Sequence, residues 1–112
     1  MAFFLLQLGY TPEAWAAMVK NPQDRTAAII PVIEKLGGRM DRFWFSFGEH
    51  DIVAIVEMPN NVSAAAFSVA VAAGGACRNV TTTPLLTVQE ALDAMKQAAT
   101  SGYKPVTAAA RS

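Results

Sequence analysis

The sequence predicts an α+β fold, a β-α-β-β-α-β chain with one further helix at its end. Three observations predict it. Four short runs are rich in aromatic and branched apolar residues; helix-start signatures stand between them at Thr11-Pro12, Asn60-Asn61 and Thr87; and glycine pairs, Gly37-Gly38 and Gly74-Gly75, stop the helical segments.

Ala2 to Leu8 is a continuous apolar run with two phenylalanines, short enough for a buried strand and bounded by Gly9. Thr11-Pro12-Glu13 supplies a hydroxyl cap, a proline at the first helical position and a first-turn carboxylate. Asn21-Pro22 repeats the signal, which predicts a short helix, a break, and a longer helix to Leu36 with Ala27, Ile30, Ile33 and Leu36 inward. Pro31 inside it predicts a kink. Arg39 to Phe47 is dense in aromatics and reads as a strand, and Asp51 to Met58 as its antiparallel hairpin partner across Gly48-Glu49-His50. Val62 to Ala73 is an alanine-rich helix, and Ala76 to Leu86 carries the threonines and branched residues of a fourth strand. Thr87-Val88-Gln89-Glu90 is a capping box that opens a last helix to about Ala99. Residues 1–100 thus make one domain and residues 101–112 a flexible tail.

With this order the split βαβ rule gives a four-stranded antiparallel sheet carrying helices on one face, the ferredoxin-like arrangement. The other face is left bare. Strands this apolar predict that a second copy covers it under two-fold symmetry, giving a dimeric α/β barrel.

Composition points the same way. Hydrophobic residues make up 53% of the 112-residue chain and charged residues 16%, more apolar surface than a lone monomer readily hides. Nine basic and nine acidic residues cancel without a basic stripe, which argues against nucleic acid as a partner. One cysteine, Cys77, and one histidine, His50, leave no intrachain disulfide and no clustered zinc site. No run reaches the roughly 20 apolar residues of a membrane helix, and the N-terminus reads as a strand, not a signal peptide. The expectation is a cytoplasmic homo-oligomer without a cofactor.

Gly48-Glu49-His50-Asp51 followed by Ile52-Val53-Ala54-Ile55-Val56-Glu57-Met58-Pro59-Asn60 resembles the GYD domain family, named for a glycine, a variable residue, a tyrosine and an aspartate heading the third strand. Tyr10-Thr11-Pro12-Glu13, Lys35-Leu36-Gly37-Gly38 and Gly75-Ala76-Cys77-Arg78 are also similar to that family, so the resemblance covers roughly residues 3 to 98. His50 stands where the family has its tyrosine. The resemblance implies a ferredoxin-like dimeric α/β barrel and no particular chemistry.

Candidate chemistry gathers around the hairpin. His50 lies between Glu49 and Asp51, and a carboxylate beside an imidazole raises its pKa and orients it for proton transfer. The alternative is structural: His50 bonds the backbone while Asp51 caps the hairpin or meets an arginine. Glu57 shares the Asp51 face of the strand but lies about 20 Å away, too far for a carboxylate pair on one bond. It is a buried general base, the partner of Arg42 or Arg78, or a dimer contact. Cys77 next to Arg78 reads as a small buried hydrophobe. Tyr10, Trp15, Trp44, Phe67 and Arg78, with Phe43, Phe45 and Phe47, are candidates to line a pocket for a small apolar ligand. No phosphate loop or nucleophile elbow occurs. Two functions follow: a cofactor-independent proton-transfer enzyme using His50, Asp51 and Glu57, or a non-catalytic oligomeric binding module.

Overall fold

Side chains of the first strand alternate between a buried set, Phe4, Leu6, Leu8 and Tyr10, and a half-buried set, Phe3, Leu5 and Gln7. This alternation orients the molecule, because the buried set faces the helices. The computed structural model describes residues 1–107. Its elements are β1 (Ala2–Tyr10), α1 (Pro12–Lys20), α2 (Thr26–Lys35), β2 (Arg39–Phe45), β3 (Ile52–Met58), α3 (Asn61–Ala73), β4 (Cys77–Leu85) and α4 (Val88–Ala99). The sheet order is β2-β3-β1-β4 with every pairing antiparallel, as the ferredoxin-like arrangement requires.

Phe4, Leu6, Ala54, Val56 and Met58 of the central strands pack on Ile33 of α2 and on Ala64 and Phe67 of α3. A smaller cluster of Leu8, Tyr10 and Ile52 continues the core toward Trp15 and Met18 of α1. Polar caps hold the helices in place. Thr11 and Asn60 accept from the backbone N–H groups of Ala14 and Ser63, and Thr87 and Glu90 complete a reciprocal capping box.

Local signals misplaced two boundaries. The second helix begins at Thr26 and not after Asn21-Pro22, since Asp24 accepts from the Thr26 N–H at 2.9 Å and turns the chain there. Ala27 is exposed, and Ile29 packs inward instead. α2 runs through Pro31 as a single segment; the ring is exposed, and so is Ala27, whose carbonyl loses its helical donor to the proline. β2 stops at Phe45, and Ser46 to Asp51 form the connection, in which Phe47 takes a positive φ of 50°. Aromatic density thus overstated the strand.

Beyond β4 the chain leaves the body. None of the α4 residues is buried, and the molecule measures 61 × 33 × 22 Å with a radius of gyration of 18.5 Å, against about 13 Å for a compact chain of this length. Residues 101–107 have no regular structure and are exposed. The last part of the expected tail, 108–112, lies outside the described residues.

Candidate functional site

The candidate residues meet at the end of the sheet where β1 leads into α1. Asp51 precedes β3, and its N–H donates to the Leu8 carbonyl at 2.7 Å, which carries the β1–β3 ladder one residue further. Its Oδ2 then accepts from the Tyr10 N–H at 2.8 Å, from the Trp15 indole Nε1 at 3.1 Å and from the Arg78 guanidinium at 3.4 Å. Among the described residues Asp51 is the one buried charged side chain, and three donors compensate its desolvation.

Arg78 is fixed in turn. Its Nε donates to the Tyr10 carbonyl at 3.1 Å and its terminal nitrogen to the Glu49 carbonyl at 3.0 Å. The β1–β4 register shifts between Gly9 and Tyr10, and the guanidinium crosses over Gly9. A Cβ there would lie 2.7 Å from the Arg78 Cζ and 2.8 Å from the Asn79 Oδ1, so only glycine leaves room for both side chains.

His50 is half-buried, and its Nδ1 stands 3.3 Å from the Asn79 Oδ1. Among the described residues it shares no hydrogen bond or ion pair with Asp51, so the orienting neighbour is Asn79 and not the expected carboxylate. Glu57 sits at the far end of β3 and pairs with Arg39 directly across the β2–β3 ladder at 2.6 Å; neither Arg42 nor Arg78 is its partner. His50, Asp51 and Glu57 line none of five surface hollows of about 190 to 410 Å³ formed by the described residues.

The expected pocket residues do not converge. Tyr10 and Trp15 meet edge-on with ring centres 5.5 Å apart, and Trp15 continues to Phe47 at 5.7 Å and Phe45 at 6.4 Å. Trp15, Phe45 and Phe47 line a groove of about 190 Å³ with Met18, Val19 and Pro22, and Tyr10 stands outside it. Phe67 is buried in the main core. Trp44, half exposed, lies on the opposite face of the sheet opposite Val53, and Arg78 is committed to Asp51.

Burial pushes the Tyr10 phenol above its ordinary range, partly opposed by the Arg25 guanidinium beside it. Burial likewise raises the Cys77 thiol, again opposed by Arg25. Both groups therefore stay protonated at neutral pH, and Cys77 is the weakly reactive thiol its strand position suggested. Gly9, Asn79 and Arg25 belong to this end of the molecule and carried no chemical signal in the sequence. Gly9 was visible there only as a strand boundary.

A four-stranded antiparallel sheet with helices on one face and a buried aspartate knotting its end defines a small α+β domain of ferredoxin-like topology. The family model described as GYD domain matches residues 4–95, which takes in the sheet apart from Ala2 and Phe3, and most of α4. The chain belongs to the GYD domain family. No curated protein matches it.

Proposed function

We propose that the protein is a non-catalytic, self-associating binding module whose sheet is covered by a second copy of the chain. The observation that carries this reading is the outward face of the sheet. Phe3 and Leu5 of β1, Val53 and Ile55 of β3, Trp44 of β2 and Leu85 of β4 stand side by side in register there, half-buried or exposed, and no helix of the described residues buries them. A contiguous apolar face of this kind marks an interaction surface. Self-complementarity favours a two-fold partner, because an identical sheet presents the same central stripe with Arg39, Glu57, Thr81 and Thr83 around it.

The proton-transfer reading asks for His50 beside a cavity with a carboxylate to orient it. His50 instead faces Asn79 while the Asp51 oxygen is committed to three donors, and this arrangement favours the binding module.

Light scattering on eluting protein tests the reading. At about 50 μM, above the dissociation constants of most stable interfaces, the protein is expected to elute at twice the chain mass, and Ile55→Glu at the mass of one folded chain. A wild-type monomer, or an Ile55→Glu dimer, would overturn the assignment.

A further inference from the structure

On the helix side of the sheet a second feature has no part in that assembly. Two hollows adjoin between β1, β4 and the helices, of about 270 and 230 Å³, and both are lined by Tyr10, Arg25 and Ala76. Leu8, Ile29 and Val71 wall the larger one, and Cys77 lies at its edge. Arg25 immediately precedes α2 but makes no side-chain cap. Its guanidinium lies beside the Tyr10 hydroxyl and reaches Gln23 Oε1 at 3.5 Å, and among the described residues no carboxylate comes within ion-pair distance of it. Arg25 is half-buried, its stem against the apolar walls of the hollows and its guanidinium in reach of their opening.

We propose that this cleft binds a small monocarboxylic acid with a short apolar chain, the carboxylate meeting Arg25 and the Tyr10 hydroxyl and the chain lying against Leu8, Ile29 and Val71. The planar guanidinium fork matches a carboxylate with two parallel hydrogen bonds. Tyr10 and Cys77, both protonated at neutral pH, add no competing negative charge. One cation and one hydroxyl suit a single negative charge better than a phosphate dianion, and the apolar walls ask for a hydrocarbon tail. At roughly 30 Å³ per heavy atom, the share of one water in the liquid, the larger hollow holds on the order of nine heavy atoms, which accommodates hexanoate.

Titration of isotope-labelled protein with hexanoate, hexan-1-ol and inorganic phosphate, followed through its backbone amide resonances, tests the assignment. Hexanoate is expected to saturate with shifts centred on Arg25, Ala76 and Cys77, and to bind at least about tenfold more tightly than the alcohol or phosphate. Arg25→Gln, which removes charge without removing a cap, should bring hexanoate down to the level of hexanol. Ala70→Leu, which fills the larger hollow, should weaken both, with the unchanged resonances of the sheet reporting that the variant is folded. Equal binding of acid and alcohol, binding of phosphate as tight as hexanoate, shifts centred elsewhere, no saturation, or an Arg25→Gln protein that keeps its preference for the acid would each overturn it.

Discussion

Asp51 is the residue on which the end of the sheet turns. Its single oxygen Oδ2 joins β1, α1 and β4, and removal of the carboxylate strands the Tyr10 N–H, the Trp15 indole and the Arg78 guanidinium together. Asp51→Ala should cost about 3 kcal/mol, since buried donors then lose a charged acceptor. Asp51→Asn keeps an acceptor oxygen and should cost only about 1 to 2 kcal/mol. Urea unfolding of the two variants checks the order; equal costs would mean that charge, and not hydrogen bonding, holds the junction. The sequence singled out Asp51 and offered an arginine as its partner, which Arg78 is, but not the Tyr10 N–H and the Trp15 indole; the three partners lie 41, 36 and 27 residues away along the chain. His50 illustrates the same limit: adjacency to Asp51 suggested a pair, while the fold turns the ring toward Asn79.

At the level of elements, short-range chemistry was legible wherever one side chain closes one end. Thr11, Asn60 and Thr87 each cap the helix they precede, because the cap is satisfied within three residues and needs no tertiary help. Asn21-Pro22 carried the same signal and failed, since Asp24 makes the competing bond to Thr26. The join between α2 and β2 shows how packing adds a constraint to a stop signal. Gly38 donates its N–H to the Ile33 carbonyl, and a Cβ on it would lie 2.5 Å from the Glu57 carbonyl oxygen and collide with the Met58 sulfur as well. Backbone cannot yield there as a side chain can. Gly38→Ala is therefore expected to destabilise by about 2 to 3 kcal/mol, read from the urea midpoint; a cost below 1 kcal/mol, the scale of an ordinary surface change, would show that β3 can move away from the junction.

For the molecule as a whole, burial of Tyr10 and Cys77 couples stability to alkaline pH. Both groups lose a proton less readily folded than unfolded, so above the ordinary thiol value of 9.0 the unfolded chain binds fewer protons than the folded one and stability falls as pH rises. The contribution is whole below that value. It is lost as pH climbs through the raised folded-state values, with Tyr10 following from its ordinary 10.0. Urea midpoints taken from about pH 8 upward should decline, and Cys77→Ala should delay the onset; a flat profile would deny the burial of both groups. The sequence by itself determined the element order, the helix caps, the antiparallel sheet and the family, because short apolar runs, glycine stops and capping side chains are local signals that repeat along the chain. Only the tertiary structure decided which face of the sheet the helices cover, that Asp51 serves the backbone of β1, that Glu57 answers Arg39, and that Arg25 opens into a cleft. Each of these depends on strand register and on residues far apart in the chain, where a shift of one position would exchange the two faces of a strand.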